Sequence, residues 1–505
     1  MPASFVPTAS DYLRFLPEII LTVFGIAVMM LEAVAKGKRT YLGITALIGI
    51  GLAFVANISA YSDPGAAFQN MIVIDAYATF FRGLVLVVGA LCILASISYL
   101  ERQGAQSGEY YALILFSLVG QCTLATSADL IMVFIALEIS SIATYVLAGY
   151  RKDTARGPEA AIKYFLLGSF ATAFLLYGVA LIFGATGTTQ IYEIARLVPT
   201  AQNHSLILAG LGLMLVGILF KVSAAPFHVW TPDVYEGSPT PVVALMSTAP
   251  KAAAFALLLR VVYEMLPTLR SVWQPLLWVV AVLSMTLGNL AALRQQNVKR
   301  MLAYSAIAHA GYLLAAFAAL DSTGIAAASF YIAAYAAMNV GIFAVVTLVS
   351  GYDEKRPLID DFRGLIYRSP LLGSLLIFFL ISLVGIPFTG GFFGKFYAFS
   401  AAVGGGAIWL AIIGLLNSGL AAAYYLRLGL VAAQQPDAQK PVVPAPKVGI
   451  AVGAALLLAV AATLILGIVP SDVLHAAENA AYTLQAPSTN TSAPAHAFDL
   501  KMMIP

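Results

Sequence analysis

The chain has 505 residues, of which 61% are hydrophobic and only 10% charged, and its mean hydropathy is +0.89. Folding that much apolar surface into water would leave too little polar surface to cover it, so a water-soluble domain is excluded and an all-α polytopic membrane protein is implied. The net charge of +3 carries no nucleic-acid signal, and Cys92 and Cys122 lie inside apolar runs with neither a CxxC nor a histidine cluster beside them, so no zinc site, iron–sulfur cluster or disulfide is expected.

The first basic cluster, Lys36, Lys38 and Arg39, follows the first apolar run and does not precede it, so that run reads as a retained helix and not a cleaved signal peptide. Apolar runs long enough to cross a bilayer occur at 15–34, 41–60, 77–99, 109–127, 129–150, 159–185, 204–236, 240–263, 272–294, 300–320, 325–350, 370–402, 407–432 and 447–468, about 14 segments in all. The loops after odd-numbered segments carry most of the basic residues: Lys36, Lys38, Arg39; Arg102; Arg151, Lys152, Arg156; Arg294, Lys299, Arg300; Lys355, Arg356, Arg363, Arg368; Arg427, Lys440, Lys447. The other side has little beyond Arg14, Arg196, Arg270 and Lys501. The bias puts the first group in the cytoplasm and both termini on the opposite side, which an even number of spans also requires.

Two segments, 204–236 and 370–402, are far longer than the roughly 20 residues a span needs. Pro226 interrupts the first, and Gly385, Pro387, Gly390 and Gly391 interrupt the second, so each is expected to be two half-helices joined by an unwound stretch. The breaks fall in the seventh and twelfth segments, five apart. That spacing predicts two five-helix repeats, spans 4–8 and 9–13, the second inverted because the number of helices per repeat is odd. The division is then a three-helix segment at 1–107, repeats at 108–270 and 271–433, a last helix at 434–470 and, at 471–505, an Ala/Ser/Thr/Pro-rich tail expected to be weakly ordered.

Within these spans sit charges that a bilayer tolerates poorly: Glu138, Lys221, Lys251 and Lys395. A charge at the middle of a span costs at least about 2.5–3.5 kcal/mol, and the usual reason to keep one is an ion or proton path. Lys221 and Lys395 each lie within several residues of a break, where such paths concentrate in transporters. Lys221 and Lys251 are too central to reach the headgroups by snorkelling. Burial makes an amine easier to deprotonate and an acidic neighbour opposes this, so Glu138 is the expected partner of Lys221. The bland alternative is a static ion pair joining helices. Lys163, only about five residues into its span, is balanced between the same path and snorkelling. His309 has two ring nitrogens suited to a proton relay, against the ordinary reading of a satisfied core histidine. His228 follows the first break, and Asp233 and Glu236 beyond it read as loop-facing or capping residues. GGFFGKF is not a phosphate loop, because Thr389 and Phe396 stand where that motif needs Gly and Ser/Thr.

The stretches APFHVWTPDVYEGSPTPVVALMSTAPKAAAFALLLR, VKRMLAYSAIAHAGYLL and GIPFTGGFFGKFYAF resemble the antiporter-like subunits of respiratory complex I, the NADH–quinone oxidoreductase, over essentially all spans. STAPKAAAF and the lysine in the twelfth span are similar to one branch of that family. A second branch carries a glutamate there, and a third adds a long lateral helix that this sequence does not show. The resemblance implies the same number of helices, with inverted repeats and the same two broken spans. Its proton-path residues fall on Glu138, Lys221, Lys251, His309 and Lys395, with Lys163 a further member. It also implies a translocating subunit of the bacterial inner membrane whose chain holds no redox centre, FMN, iron–sulfur clusters and quinone being expected on other subunits or at their interfaces. The expected partners are lipid and the other membrane subunits of complex I, including neighbouring antiporter-like ones. The rival reading is a subunit of a multi-subunit cation/proton antiporter, and a less favoured one is a purely structural membrane subunit.

Overall fold

The computed structural model describes residues 6–34, 39–152, 154–319, 321–351, 353–436 and 448–485. Twelve helices among them are long and apolar enough to cross a membrane. They include the first three spans, Leu16–Val34, Thr40–Ala60 and Ala76–Gln103, the fifth and sixth, Leu130–Ala148 and Arg156–Thr186, and the ninth to eleventh, Arg270–Leu293, Val298–Ala315 and Ser322–Ser350. Ile408–Ala433 and Ile450–Ile468 are the thirteenth and fourteenth. The fourth, Gly108–Thr126, is a helix of comparable length carrying more polar groups, among them Ser117, Gln121 and Thr123.

The seventh span runs His204–Lys221, unwinds, and resumes as Thr231–Gly237; the twelfth runs Pro370–Val384 and then Gly390–Gly404. Both breaks lie in the segments where chain length and breakers predicted them. A further interruption, just before Pro250, was passed over in the sequence: the eighth span is Thr240–Met246, then Ala249–Leu259 with Pro250 in its first turn, ending in π-helical Arg260–Met265. Polar side chains start several helices by accepting free backbone N–H groups, as Asp75 does for Ala78 and Asp129 for Ile131 and Met132.

The repeats use one contact twice. A methyl group on Gly120 would stand 2.5 Å from the Ala136 oxygen, and one on Gly288 would stand 2.7 Å from the Ala308 nitrogen. Only glycine lets the fourth span close on the fifth, and the ninth on the tenth, at that separation. Each glycine precedes a buried amide, Gln121 or Asn289.

Outside the repeats, Arg82 of the third span pins the first through a two-pronged pair with Glu18, both side chains fully buried, at 2.8 Å on each prong. Between the second and third spans a short antiparallel hairpin, Gly65–Ala67 with Ile72–Ile74, stands where the sequence reading placed only a loop. The expected weakly ordered tail needs correction over its first part. Ser471–Gln485 is a helix whose Ala477, Ala480, Ala481 and Leu484 are buried, because small apolar residues on one face fit against the third and eleventh spans. The rest of that tail, 486–505, lies outside the described residues, as do Lys36, Lys38, Lys440, Lys447 and Lys501 of the loop-charge count.

Candidate functional site: a row of buried amines

Lys221 is the last residue of its half-helix, at the end where free carbonyls gather and a positive charge is favoured. Its buried Nζ donates to the Ser141 hydroxyl at 2.8 Å and lies 5.7 Å from the Tyr164 ring centre and 6.0 Å from that of Tyr145. Tyr164 stacks in turn on Trp230 at 4.4 Å, and the Trp230 indole N–H caps the Phe220 carbonyl at the break. The expected contact with Glu138 is not made: among the described residues no ion pair joins the two. Glu138 sits about one turn from Ser141 on the fifth span, half-buried at the margin of an exposed stripe formed by Ile131, Ile135, Ile139, Ile142 and Val146. The lysine reaches the serine on the inner face, and the carboxylate stands off from it.

Lys395, at the second break, is held by a different set of acceptors. Gly385, at φ +92°, ends the first half of the twelfth span and leaves the last carbonyls of that half without helical partners. Lys395 Nζ donates to two of them, Leu383 at 2.9 Å and Val384 at 2.8 Å, and to the Ser418 hydroxyl at 2.8 Å. Its chain passes so close to Gly385 that a methyl there would lie 3.1 Å from the lysine Cδ. At this break the negative end of a half-helix holds the amine.

Lys251 lies in the first turn after the interruption of the eighth span, buried, with Nζ donating to the Ala306 carbonyl at 3.3 Å. Ala306 is about one turn from His309 along the tenth span. The buried His309 ring is gripped at both nitrogens, Nδ1 by the Tyr331 hydroxyl at 2.9 Å and Nε2 by the Tyr425 hydroxyl at 3.2 Å. Tyr425 shares a short hydrogen bond with Ser305. Lys395 also faces the Tyr312 ring at 5.0 Å, and the Tyr312 hydroxyl accepts from Asn289 at 2.8 Å. Lys251, His309 and Lys395 thus form one polar neighbourhood inside the second repeat and its border with the first.

Lys163 stands apart. Its side chain is 42% exposed and pairs with Glu159 and Asp233, each at 2.8 Å. Arg300 binds Asp233 at 2.6 Å and Glu236 at 2.9 Å, and Arg156 completes the ring around a cavity of about 200 Å³. Asp233 and Glu236, which the sequence reading made loop-facing or capping groups, are members of this ion network.

The tyrosines and hydroxyls that hold the amines escaped the sequence reading, because a tyrosine in an apolar run looks like any core aromatic until its hydroxyl is seen to meet a histidine. Glu18 and Arg82 were legible as charges inside segments 15–34 and 77–99 and were passed over. So was Arg260, buried between Glu264 at 2.7 Å and Asp75 at 3.2 Å. Among the described residues no group of three His, Cys, Asp or Glu side chains could hold a metal ion.

A family model described as NADH:quinone oxidoreductase/Mrp antiporter, TM, matches residues 127–421, which include every amine named above. NADH-quinone oxidoreductase subunit N 1 of Solibacter usitatus is 50% identical, over 96% of this chain and 100% of its own length. A chain in the structure of respiratory complex I from Thermus thermophilus with bound aureothin superimposes with a TM-score of 0.77 at 37% identity, covering 91% of this chain and 98% of that one. A chain of the Mrp complex from Dietzia superimposes with a TM-score of 0.79 at 22% identity, over 95% of this chain and 98% of that one, a likeness of fold alone.

Proposed function

The chain belongs to the subunit N family of NADH-quinone oxidoreductases, and from that premise we propose that it moves protons along Lys221, Lys251, His309 and Lys395 under the control of Glu138. It is a multi-span subunit of a bacterial respiratory complex I and works beside that complex's other membrane subunits. In this reading both termini lie on the periplasmic side. Electron transfer through FMN, iron–sulfur clusters and quinone takes place on other subunits or at their interfaces, and this chain contributes a non-redox translocation step.

One observation carries the reading. Lys221, Lys251 and Lys395 are held by hydroxyls and carbonyls, and among the described residues none of these three has a carboxylate within ion-pair distance. A carboxylate partner would fix the ammonium form. A carbonyl accepts from an ammonium or a neutral amine alike, and a serine hydroxyl accepts from the first and can donate to the second. At Lys221 and Lys395 the serine hydroxyl can therefore stay paired with the amine whether it gains or loses a proton. His309 between two tyrosine hydroxyls has the same tolerance, since either ring nitrogen can donate or accept according to the tautomer. Glu138, held off from Lys221, biases it through space, so a change in its charge or position alters the lysine without breaking a bond. Moving one unit charge against the membrane potential costs about 2.3 kcal/mol per 100 mV, which the redox reaction elsewhere in the complex must supply.

Replacing Lys251 by alanine is the direct test. The assembled complex should still pass electrons from NADH to quinone and should lose most proton pumping in membrane vesicles. Normal pumping would end the role. The cation/proton antiporter reading keeps only the shared fold in its favour, whereas the relatives matched at high identity are oxidoreductase subunits.

A further inference from the structure

The loop joining the eleventh span to the twelfth carries Glu354, a residue outside every group assigned so far. Its side chain is only 7% exposed. Its backbone sits at φ +53°, in the left-handed region that side chains other than glycine's seldom adopt. Such strain persists where the surroundings impose it, and it tends to mark positions with a task.

The surroundings here are donors from several elements. Oε1 accepts from the Thr240 N–H at 2.7 Å, the Thr240 hydroxyl at 2.8 Å and the Tyr99 hydroxyl at 3.2 Å. Oε2 accepts from Lys299 Nζ at 2.8 Å and forms an ion pair with Arg151 Nη1 at 3.2 Å. Burial pushes this carboxyl up, but Lys299, Thr240 and Arg151 together outweigh it and hold the group below its ordinary value, as a carboxylate. The loop backbone is strapped to the same place: the Val298 N–H donates to the Pro357 carbonyl at 2.8 Å, and the Ile359 N–H to the Gln296 carbonyl at 2.9 Å.

Those donors stand at particular ends of particular spans. Thr240 opens the eighth, which carries Lys251. Lys299 lies in the first turn of the tenth, which carries His309. Arg151 follows the end of the fifth, which carries Glu138. We propose that Glu354 is a positioning residue whose one carboxylate fixes the ends of these three spans against each other, so that a shift caused by protonation in one is transmitted to the other two. The proposal rests on the reading of Glu138, Lys251 and His309 as proton sites. A carboxylate suits the task because its two oxygens can hold several donors at once in fixed geometry.

The test uses the whole complex in inverted bacterial membrane vesicles, with protons pumped per NADH oxidised as one readout and the inactivation temperature as the other. Glu354→Gln keeps the size and removes the charge. It is expected to assemble, to oxidise NADH, and to lose part of the protons per electron well below its inactivation temperature. Arg151→Gln and Lys299→Gln each remove one cation from the carboxylate, together with its bond to the Asp353 or the Ser238 carbonyl, and should give smaller losses. Either of them added to Glu354→Gln should cause no further loss, because groups in one network do not add. Glu354→Asp, with the charge restored at shorter reach, should regain part of the ratio. A purely structural staple would lower the inactivation temperature and leave the ratio intact, and that result overturns the proposal. If Glu354→Gln does not assemble, unchanged ratios in both Arg151→Gln and Lys299→Gln overturn it equally. Lys251→Ala is run alongside: an unchanged ratio there overturns the proton-site reading, whereas a loss there with an unchanged ratio in Glu354→Gln overturns only the role of Glu354.

Discussion

Glu138 and Lys221 show how much a few ångströms decide at the scale of single residues. A direct ion pair between them would be costly to separate once buried. The lysine rests on Ser141 instead, with the carboxylate nearby at the edge of the exposed face. Control through space depends on the presence of a charge more than on the reach of the side chain. Glu138→Asp is therefore expected to keep most proton pumping, and Glu138→Gln to lose most of it, in complexes that assemble equally. Equal pumping by the two variants would remove Glu138 as a controlling charge.

At the scale of elements, the two broken spans share a device. Each unwound stretch ends a half-helix inside the protein beside a lysine: Lys221 is the last residue of its own half-helix, and Lys395 reaches across the break to the free carbonyls of Leu383 and Val384. Gly385 makes the second arrangement possible through its positive φ and its lack of a side chain beside Lys395. Gly385→Ala should cost on the order of 1–2 kcal/mol for the left-handed backbone alone. The added methyl should also displace Lys395 from the carbonyls. The complex should inactivate at a lower temperature and, below that temperature, pump fewer protons per electron. A variant that is destabilised but pumps at the normal ratio would reduce the break to a packing feature.

For the molecule as a whole, charge is arranged in separate compartments. The buried amines and His309 lie in the interior, the Lys163–Asp233–Arg300 network surrounds a cavity with half-exposed walls, and the buried pair Glu18–Arg82 ties the first span to the third. The sequence carries no dinucleotide fingerprint, and among the described residues no cluster of three His, Cys, Asp or Glu side chains could hold a metal ion. The purified chain by itself is expected neither to bind nor to oxidise NADH; stoichiometric flavin or iron in the folded chain would refute this.

The sequence by itself determined the class of molecule, the position of nearly every span and both major breaks, because these follow from run length, hydropathy and the backbone chemistry of proline and glycine. It also picked out Glu138, Lys221, Lys251 and Lys395, because a charge inside an apolar run stands out without any structure. Only the tertiary structure decided what those charges touch. Ser141, Ser418, Tyr331 and Tyr425 are ordinary residues in their own segments, and each acquires its part when a distant helix brings an amine or imidazole to it. Glu354 is the same case in a loop: a common surface residue by sequence, and the meeting point of several elements once the spans are packed. Hydropathy is local and additive along the chain, whereas a hydrogen bond between residues far apart in sequence exists only after the chain has folded.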